Sequence, residues 1–177
     1  MDIFIEQIIE AKPDLRANVL KISVIASMVL FCGLLLLAAV AFMGSISFIA
    51  AAAILGVIWL GVHFFKGLTV EYEYILTNKD LDIDKITGRR NRKRLITLNL
   101  ANAESFNICK EEVSFNADVT VSAHDNTYLN MWYLIVKHDS LGRVILLFNP
   151  NDRFAVKLNK ALPGNTRNNN INMEKEF

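Results

Sequence analysis

Hydrophobic and polar positions divide the chain into three regimes. From Ile22 to Phe65 runs a 44-residue stretch without Asp, Glu, Lys or Arg, broken in character at Gly44-Ser45. One spanning helix needs about 20 apolar residues. The stretch therefore predicts two transmembrane helices, Ile22–Met43 and Ile46–Phe65, joined by a very tight turn. Ahead of it, Met1, Phe4, Ile5, Ile8 and Ile9 recur at helical spacing, with Asp2, Glu6 and Glu10 on the other face. That spacing predicts a short amphipathic helix over Met1–Ala11, stopped by Pro13. Such a leader, residues 1–18, either lies on the inner leaflet or docks its stripe on the soluble domain or a partner; the sequence leaves both open.

After the hairpin (residues 19–66) the period changes to two. Val70, Tyr72, Tyr74 and Leu76 alternate with Glu71, Glu73 and Thr77. Leu81 and Ile83 follow the turn Asn78-Lys79-Asp80, then Ile96, Leu98 and Leu100, then Phe106 and Ile108. A weaker segment lies within Val113–Val121, and Trp132–Val136 and Val144–Phe148 flank the turn Asp139-Ser140-Leu141-Gly142. These are seven short strands at antiparallel hairpin spacing. Asn149 as N-cap, Pro150 at the first helical position and Asp152 in the first turn then start a helix. Phe154, Leu158, Ala161 and Leu162 form its apolar face, and Pro163-Gly164 end it. The domain is expected over 67–164, with an Asn-rich, charged, disordered tail over 165–177.

Seven strands closed by one amphipathic helix resemble the pleckstrin-homology superfold, a bent antiparallel β-sandwich or barrel capped by its C-terminal helix. Tyr74 to Ile83, then Gly88 and the basic run into Leu95-Ile96, resemble the opening of bacterial membrane-attached PH-like domains; Val144 to Pro150 resembles their ending. The whole chain is similar to a family of small bacterial two-span membrane proteins of unknown function, whose leader reads here Met1-Asp2-Ile3-Phe4-Ile5-Glu6-Gln7-Ile8. The resemblance implies a membrane α-helical hairpin plus an α+β soluble domain. It implies no activity, and a fold alone supplies none.

Charge sets the expected orientation. Lys12, Arg16 and Lys21 precede the first span, Lys66 follows the second, and the connecting turn carries none. The positive-inside rule then puts both termini in the cytoplasm of a multi-pass cell-membrane protein. Ala39-Val40-Ala41 has the form of a signal-cleavage site, but the apolar run is too long and a second follows at once, so the segment reads as retained. Ala52 and Gly56, four apart, are expected to let the two spans approach each other, with self-association as the other use of such a pair. The spans hold no mid-membrane acid or base, which argues against transport. Cys32 and Cys109 are too few for a disulfide framework and suit a cytosol-facing domain.

The densest chemical feature is Arg89-Arg90-Asn91-Arg92-Lys93-Arg94, five cations at a strand-to-strand turn. Basic clusters near the inner leaflet attract anionic lipid, and Arg suits bidentate phosphate contact. Arg89, Arg90, Arg92, Lys93 and Arg94 are thus candidate lipid- or partner-binding residues. Asp80, Asp82 and Asp84 share a strand face and are expected to pair with this run across the hairpin rather than gather a cation. Net charge is +1, a poor footprint for nucleic acid. His63, His124 and His138 show no metal spacing with either cysteine, Ser122-Ala123-His124-Asp125 is not a triad by adjacency, and no Gly-rich phosphate loop occurs. Two readings follow: a non-enzymatic, cofactor-free membrane scaffold that binds a protein or peptide, or an anionic-lipid-binding or lipid-sensing module using the turn at 89–94.

Overall fold

A computed structural model describes residues 3–41, 45–109, 116–127, 130–169 and 171. Two compact units emerge: Pro13–Thr69, and the residues up to Lys12 together with those from Val70 onward.

The first unit is a pair of helices, α1 (Leu15–Ala41) and α2 (Ser45–Gly67). Both are long and apolar enough to cross a membrane. Asp14 opens α1: its carbonyl accepts the N–H of Asn18 at 2.9 Å and its carboxylate that of Leu15 at 2.7 Å. The helix thus begins well ahead of the expected edge at Ile22. Leu15 to Lys21 contains nothing that breaks a helix, and only its polar members concealed it from a hydropathy reading. At 27 residues, α1 measures about 40 Å, against a hydrocarbon core of about 30 Å. The tight turn expected at Gly44-Ser45 includes residues outside those described. Ala50 and Gly61 lie on the buried side of α2, and a Cβ on Gly61 would collide with the Met28 side chain of α1. Ala52 and Gly56 are exposed, with nothing close to Gly56. In place of the expected Ala52/Gly56 contact between the spans, the close approach is at Gly61, against Met28.

The second unit is a two-sheet sandwich. Its strands are β1 (Phe4–Glu10), β2 (Val70–Thr77), β3 (Asp80–Thr87), β4 (Asn91–Asn99), β5 (Ala103–Ile108), β6 (Val119–Ala123), β7 (Trp132–His138) and β8 (Gly142–Phe148), followed by α3 (Asp152–Ala161). The first sheet runs β1-β2-β3-β4 and the second β5-β7-β8-β6. Six of the seven expected strands are present as read; of the weaker one expected within Val113–Val121, residues 113–115 lie outside those described and the strand found is β6, Val119–Ala123. One pairing departs from the antiparallel expectation: β6 lies parallel to β8. Gly142, at φ +73°, begins β8 where a Cβ would meet the Asp118 carboxylate, so the turn requires glycine.

The leader corrects the sequence reading most. Residues 4–10 form strand β1, not a helix, and pair antiparallel with β2 from Phe4↔Thr77 to Glu10↔Glu71. Ile5 and Ile9 turn inward with Ile3 to pack on the core, while Phe4, Glu6, Ile8 and Glu10 face outward. The segment carries both periods, and its β-branched residues favour a strand. What decides is the open edge of β2, a partner more than sixty residues away. The leader thus belongs to the β domain.

Tyr74, Leu76, Leu81, Ile83, Leu98, Leu100, Leu134, Leu146 and Phe148 fill the space between the sheets. Tyr74 reaches across it: its ring meets Phe148 and Phe154 edge-on, its hydroxyl donates to the Ala123 carbonyl, and it accepts the Asn149 N–H at 3.3 Å. Helix α3 closes the sandwich with Phe154 and Leu158, joined by Leu162 at its C-cap, all essentially fully buried. Its N-cap is Asn151, whose Oδ1 accepts the Phe154 N–H at 2.8 Å, not Asn149 as expected. Asn149 is committed elsewhere: its Oδ1 accepts the Asp125 N–H and its carbonyl the Gln7 side chain. Of the tail expected to be disordered over 165–177, residues 165–169 and 171 are described and ordered, with Thr166 and Asn168 buried and Ile171 packed on the core; residues 170 and 172–177 lie outside those described.

Candidate functional site

The basic run spans the β3–β4 turn and the start of β4. Gly88 and Arg89 both take positive φ, +63° and +58°, a conformation uncommon for a non-glycine residue. Thr87 pairs with Val70, and the Ala11 N–H donates to the Val70 carbonyl at 2.8 Å. The turn therefore sits at the end of the first sheet where the chain leaves for α1 and returns from α2.

Alternation along the strands puts most of these cations on one face with the carboxylates of their neighbours. Arg89 Nε lies 2.9 Å from Glu71 Oε1. Arg92 Nη2 lies 2.7 Å from Glu73 Oε2, although its aligned hydrogen bond, at 2.9 Å, goes to Oε1. Arg94 pairs with Asp82 at 2.6 Å and, through Nε, with Asp84. An irregularity in register between Ile83 and Asp84 sets Arg94 opposite Asp84. Thr97 donates to Asp82 at 2.6 Å and accepts from Arg94 at 3.1 Å, closing a small network. The expected cross-hairpin pairing thus holds for Asp82 and Asp84. Asp80 makes no ion pair among the described residues; Glu71 and Glu73 of β2 take the other arginines. Of the five candidate cations, Arg90 and Lys93 have no ion-pair partner among the described residues, and Lys93 opposes Lys85.

Surface ion pairs stabilise little. Glu73 and Asp84 differ because their side chains are 2% and 4% exposed. Removing a partner would leave a buried charge uncompensated, which costs far more than the pair contributes. Burial pushes the Glu73 carboxyl above its usual range, and its hydrogen bond with Glu6 adds to this; Arg92 opposes it.

Around Ser122, His124 and Asp125 the local geometry is that of a turn. Asp125 Oδ1 accepts the Thr127 N–H at 3.0 Å and its hydroxyl at 2.6 Å. Burial alone would raise Asp125, but those two bonds, with Lys12 and His124 nearby, hold it below the usual carboxylate range. Burial lowers His124, with Asp125 opposing. This loop instead clasps the exit of β1: the Lys12 N–H donates to the Asp125 carbonyl, and the Asn126 amide to the Lys12 carbonyl. Among the described residues no group of three or more His, Cys, Asp or Glu could hold a metal ion.

Two surface hollows were not legible in the sequence. One, of about 650 Å³, lies beside the start of α3, against Ile108, Trp132 and Arg153. The other, of about 470 Å³, lies at the end of the first sheet opposite the basic turn, between Ile3, Asn78-Lys79 and the Lys160–Gly164 end of α3, with Arg167. Gln7 was likewise missed as a positioning residue: it donates to the Asn149 carbonyl at 3.0 Å and accepts the Asn151 N–H at 2.9 Å, fixing the start of α3. Its signal was its place in the leader motif.

The model of a bacterial PH-like domain family (DUF6106) covers residues 1–168, taking in β1, both apolar helices and the sandwich with α3. No curated protein and no solved structure matches the chain.

Proposed function

Because the chain belongs to the bacterial PH-like domain family, we propose that it is a membrane-anchored, non-catalytic interaction module whose β domain binds a protein or peptide at the cytoplasmic face. The observation that carries this reading is the carboxylate pairing of Arg89, Arg92 and Arg94. Cations already satisfied by their own sheet offer an anionic headgroup little beyond what they must give up. The hollow lined by Ile108, Trp132 and Pro150 together with Asn130, Asn151, Asp152 and Arg153 offers instead a mixed apolar and polar surface next to β5, an edge strand of the second sheet, a setting suited to peptide capture.

Anionic-lipid contact is the second reading. Two observations favour it: Arg90 and Lys93 lack ion pairs among the described residues, and the turn shares its end of the sheet with Ala11 and Val70. The same-end placement of Ala11 and Val70 also supports an arrangement with both termini on one side of the membrane, and the flanking cations support the cytoplasmic side. Photoreactive side chains at Ile108 and at Arg90, in the full chain in native membranes, separate the readings. The scaffold reading expects a discrete protein adduct from Ile108 and none with lipid from Arg90. Lipid adducts from Arg90 that vanish at high salt, with no protein adduct at Ile108, would replace it by the lipid reading.

A further inference from the structure

The hollow of about 470 Å³ opposite the basic turn lies between the β2–β3 turn and the end of α3. Its deeper lining is apolar: Ile3, Ala161, Leu162 and Pro163 are half-buried or buried. Its exposed lining includes three cations, Lys79, Lys160 and Arg167. Among the described residues that line it there is no carboxylate. The basic turn differs, because Glu71, Glu73, Asp82 and Asp84 answer its arginines.

Hydrogen bonds hold both walls. The Asn78 N–H donates to the Ile3 carbonyl at 2.7 Å, and Asn78 Oδ1 accepts the Ile3 N–H at 3.0 Å. The turn is thereby tied to the start of β1. The Lys79 carbonyl accepts the Leu100 N–H at 2.7 Å, which fixes the backbone that carries this cation. On the α3 side, Arg167 donates from Nε to the Leu162 carbonyl at 3.1 Å and from Nη2 to the Lys160 carbonyl at 3.0 Å. The C-terminal end of a helix ordinarily repels an anion. Arg167 covers two of the carbonyls responsible and offsets that repulsion. A guanidinium has five N–H donors. Two of them hold the Arg167 plane in place, and the rest have no partner among the described residues.

The volume is that of a small-molecule site. Apolar walls beside fixed cationic donors select a molecule that is part apolar and part anionic. We propose that this hollow binds a small soluble organic anion, an apolar body bearing one carboxylate or phosphate group. Arg167 and Lys79 would hold the charged group, and Ile3, Leu162 and Pro163 the body. The proposal is independent of the scaffold and lipid readings.

The full chain in phosphatidylcholine nanodiscs, whose lipid has no net charge, is titrated by calorimetry with phenyl phosphate and with phenylacetate, empty nanodiscs being subtracted. Inorganic phosphate and benzyl alcohol control for charge alone and for the apolar body alone. At least one of the two organic anions is expected to bind saturably, one per chain, at least tenfold tighter than either control; which one binds identifies the preferred group. Lys79→Ala alters an exposed turn tip. Gly164→Leu places a side chain in the hollow, where a Cβ meets nothing within 4 Å. Each variant is expected to weaken binding at least fivefold and to leave the melting temperature without probe unchanged. If Gly164→Leu fails to fold, Lys79→Ala decides alone. No saturable binding by either anion, binding no tighter than the controls, or unchanged affinity in either folded variant overturns the proposal. So does affinity lost in Arg90→Ala but kept in Lys79→Ala, since the anion then sits at the basic turn.

Discussion

Glu73 points outward from the first sheet, yet it is buried at the surface between Glu6 of β1, Asp84 of β3 and Arg92 of β4. Its carboxyl is raised chiefly by burial, then by the hydrogen bond with Glu6. A group raised in the folded state contributes stability that is complete below its unfolded value and is lost as pH rises through the folded value. The solubilised protein should therefore melt higher as pH falls from neutral toward the ordinary glutamate range. Glu73→Gln should flatten that dependence and leave the melting temperature at pH 7.5 equal or higher. A lower melting temperature for the variant at pH 7.5 would mean that the Arg92 pair outweighs the burial cost. The fold's polar anchors were the least legible residues: Tyr74 read as one more alternating apolar position, and nothing local marks Asn159 as the residue whose side chain holds the Asn168 N–H and carbonyl. Their roles depend on partners 49 residues away, in Ala123, and across the Pro163-Gly164 turn.

At the scale of elements, seven strands and one helix were legible because each carries its own period and its own turn or cap. The missed element, β1, was illegible for a definite reason. A seven-residue strand whose Ile residues, with Ile3 before it, fit both two-fold and helical spacings is settled by the edge it meets, and that edge lies beyond the two apolar helices. The cap of α3 slipped by two residues because Asn149 and Asn151 are chemically equivalent candidates, and only the tertiary hydrogen bonds of Asn149 separate them. Of the candidate site, the cross-strand pairing of Asp82 and Asp84 was readable from alternation; the contribution of Glu71 and Glu73 required the register of β2 against β3 and β4. Phe154 tests the closing role of α3. Truncating a buried Phe to Ala costs about 3–5 kcal/mol, out of about 5–15 kcal/mol for a domain. Phe154→Ala in the full solubilised chain should therefore lower the denaturant midpoint of the β domain sharply; a small change would make α3 peripheral.

For the molecule as a whole, β1 makes the β domain discontinuous in sequence and continuous in space. A fragment from Val70 onward would expose the edge of β2 and lose the inward packing of Ile3, Ile5 and Ile9. Joining Lys12 to Val70 through a few glycines should restore it, since Ala11 and Val70 are already hydrogen-bonded. Size-exclusion and thermal melting are expected to show a soluble, cooperative monomer for the joined chain and aggregation for the fragment; a well-folded fragment would make β1 dispensable. Orientation has its own check. With Cys32 and Cys109 replaced by Ala, a cysteine at Ser45 should react with an impermeant reagent in intact cells and one at Ser140 should not. Labelling at Ser140 would place the β domain outside.

The β1–β2 pairing also sets an order of events during synthesis. About 60 residues separate the two strands, which at about 5–20 residues per second is about 3–12 s of waiting. Through that interval β1 is an isolated, isoleucine-rich ribbon with no edge to join, the kind of segment that invites wrong partners. It finds its place only after α1 and α2 have both been made and β2 has followed them. Completion of the sandwich is thus a late checkpoint: a chain whose helical hairpin has failed to return β2 to the side of β1 cannot close its first sheet.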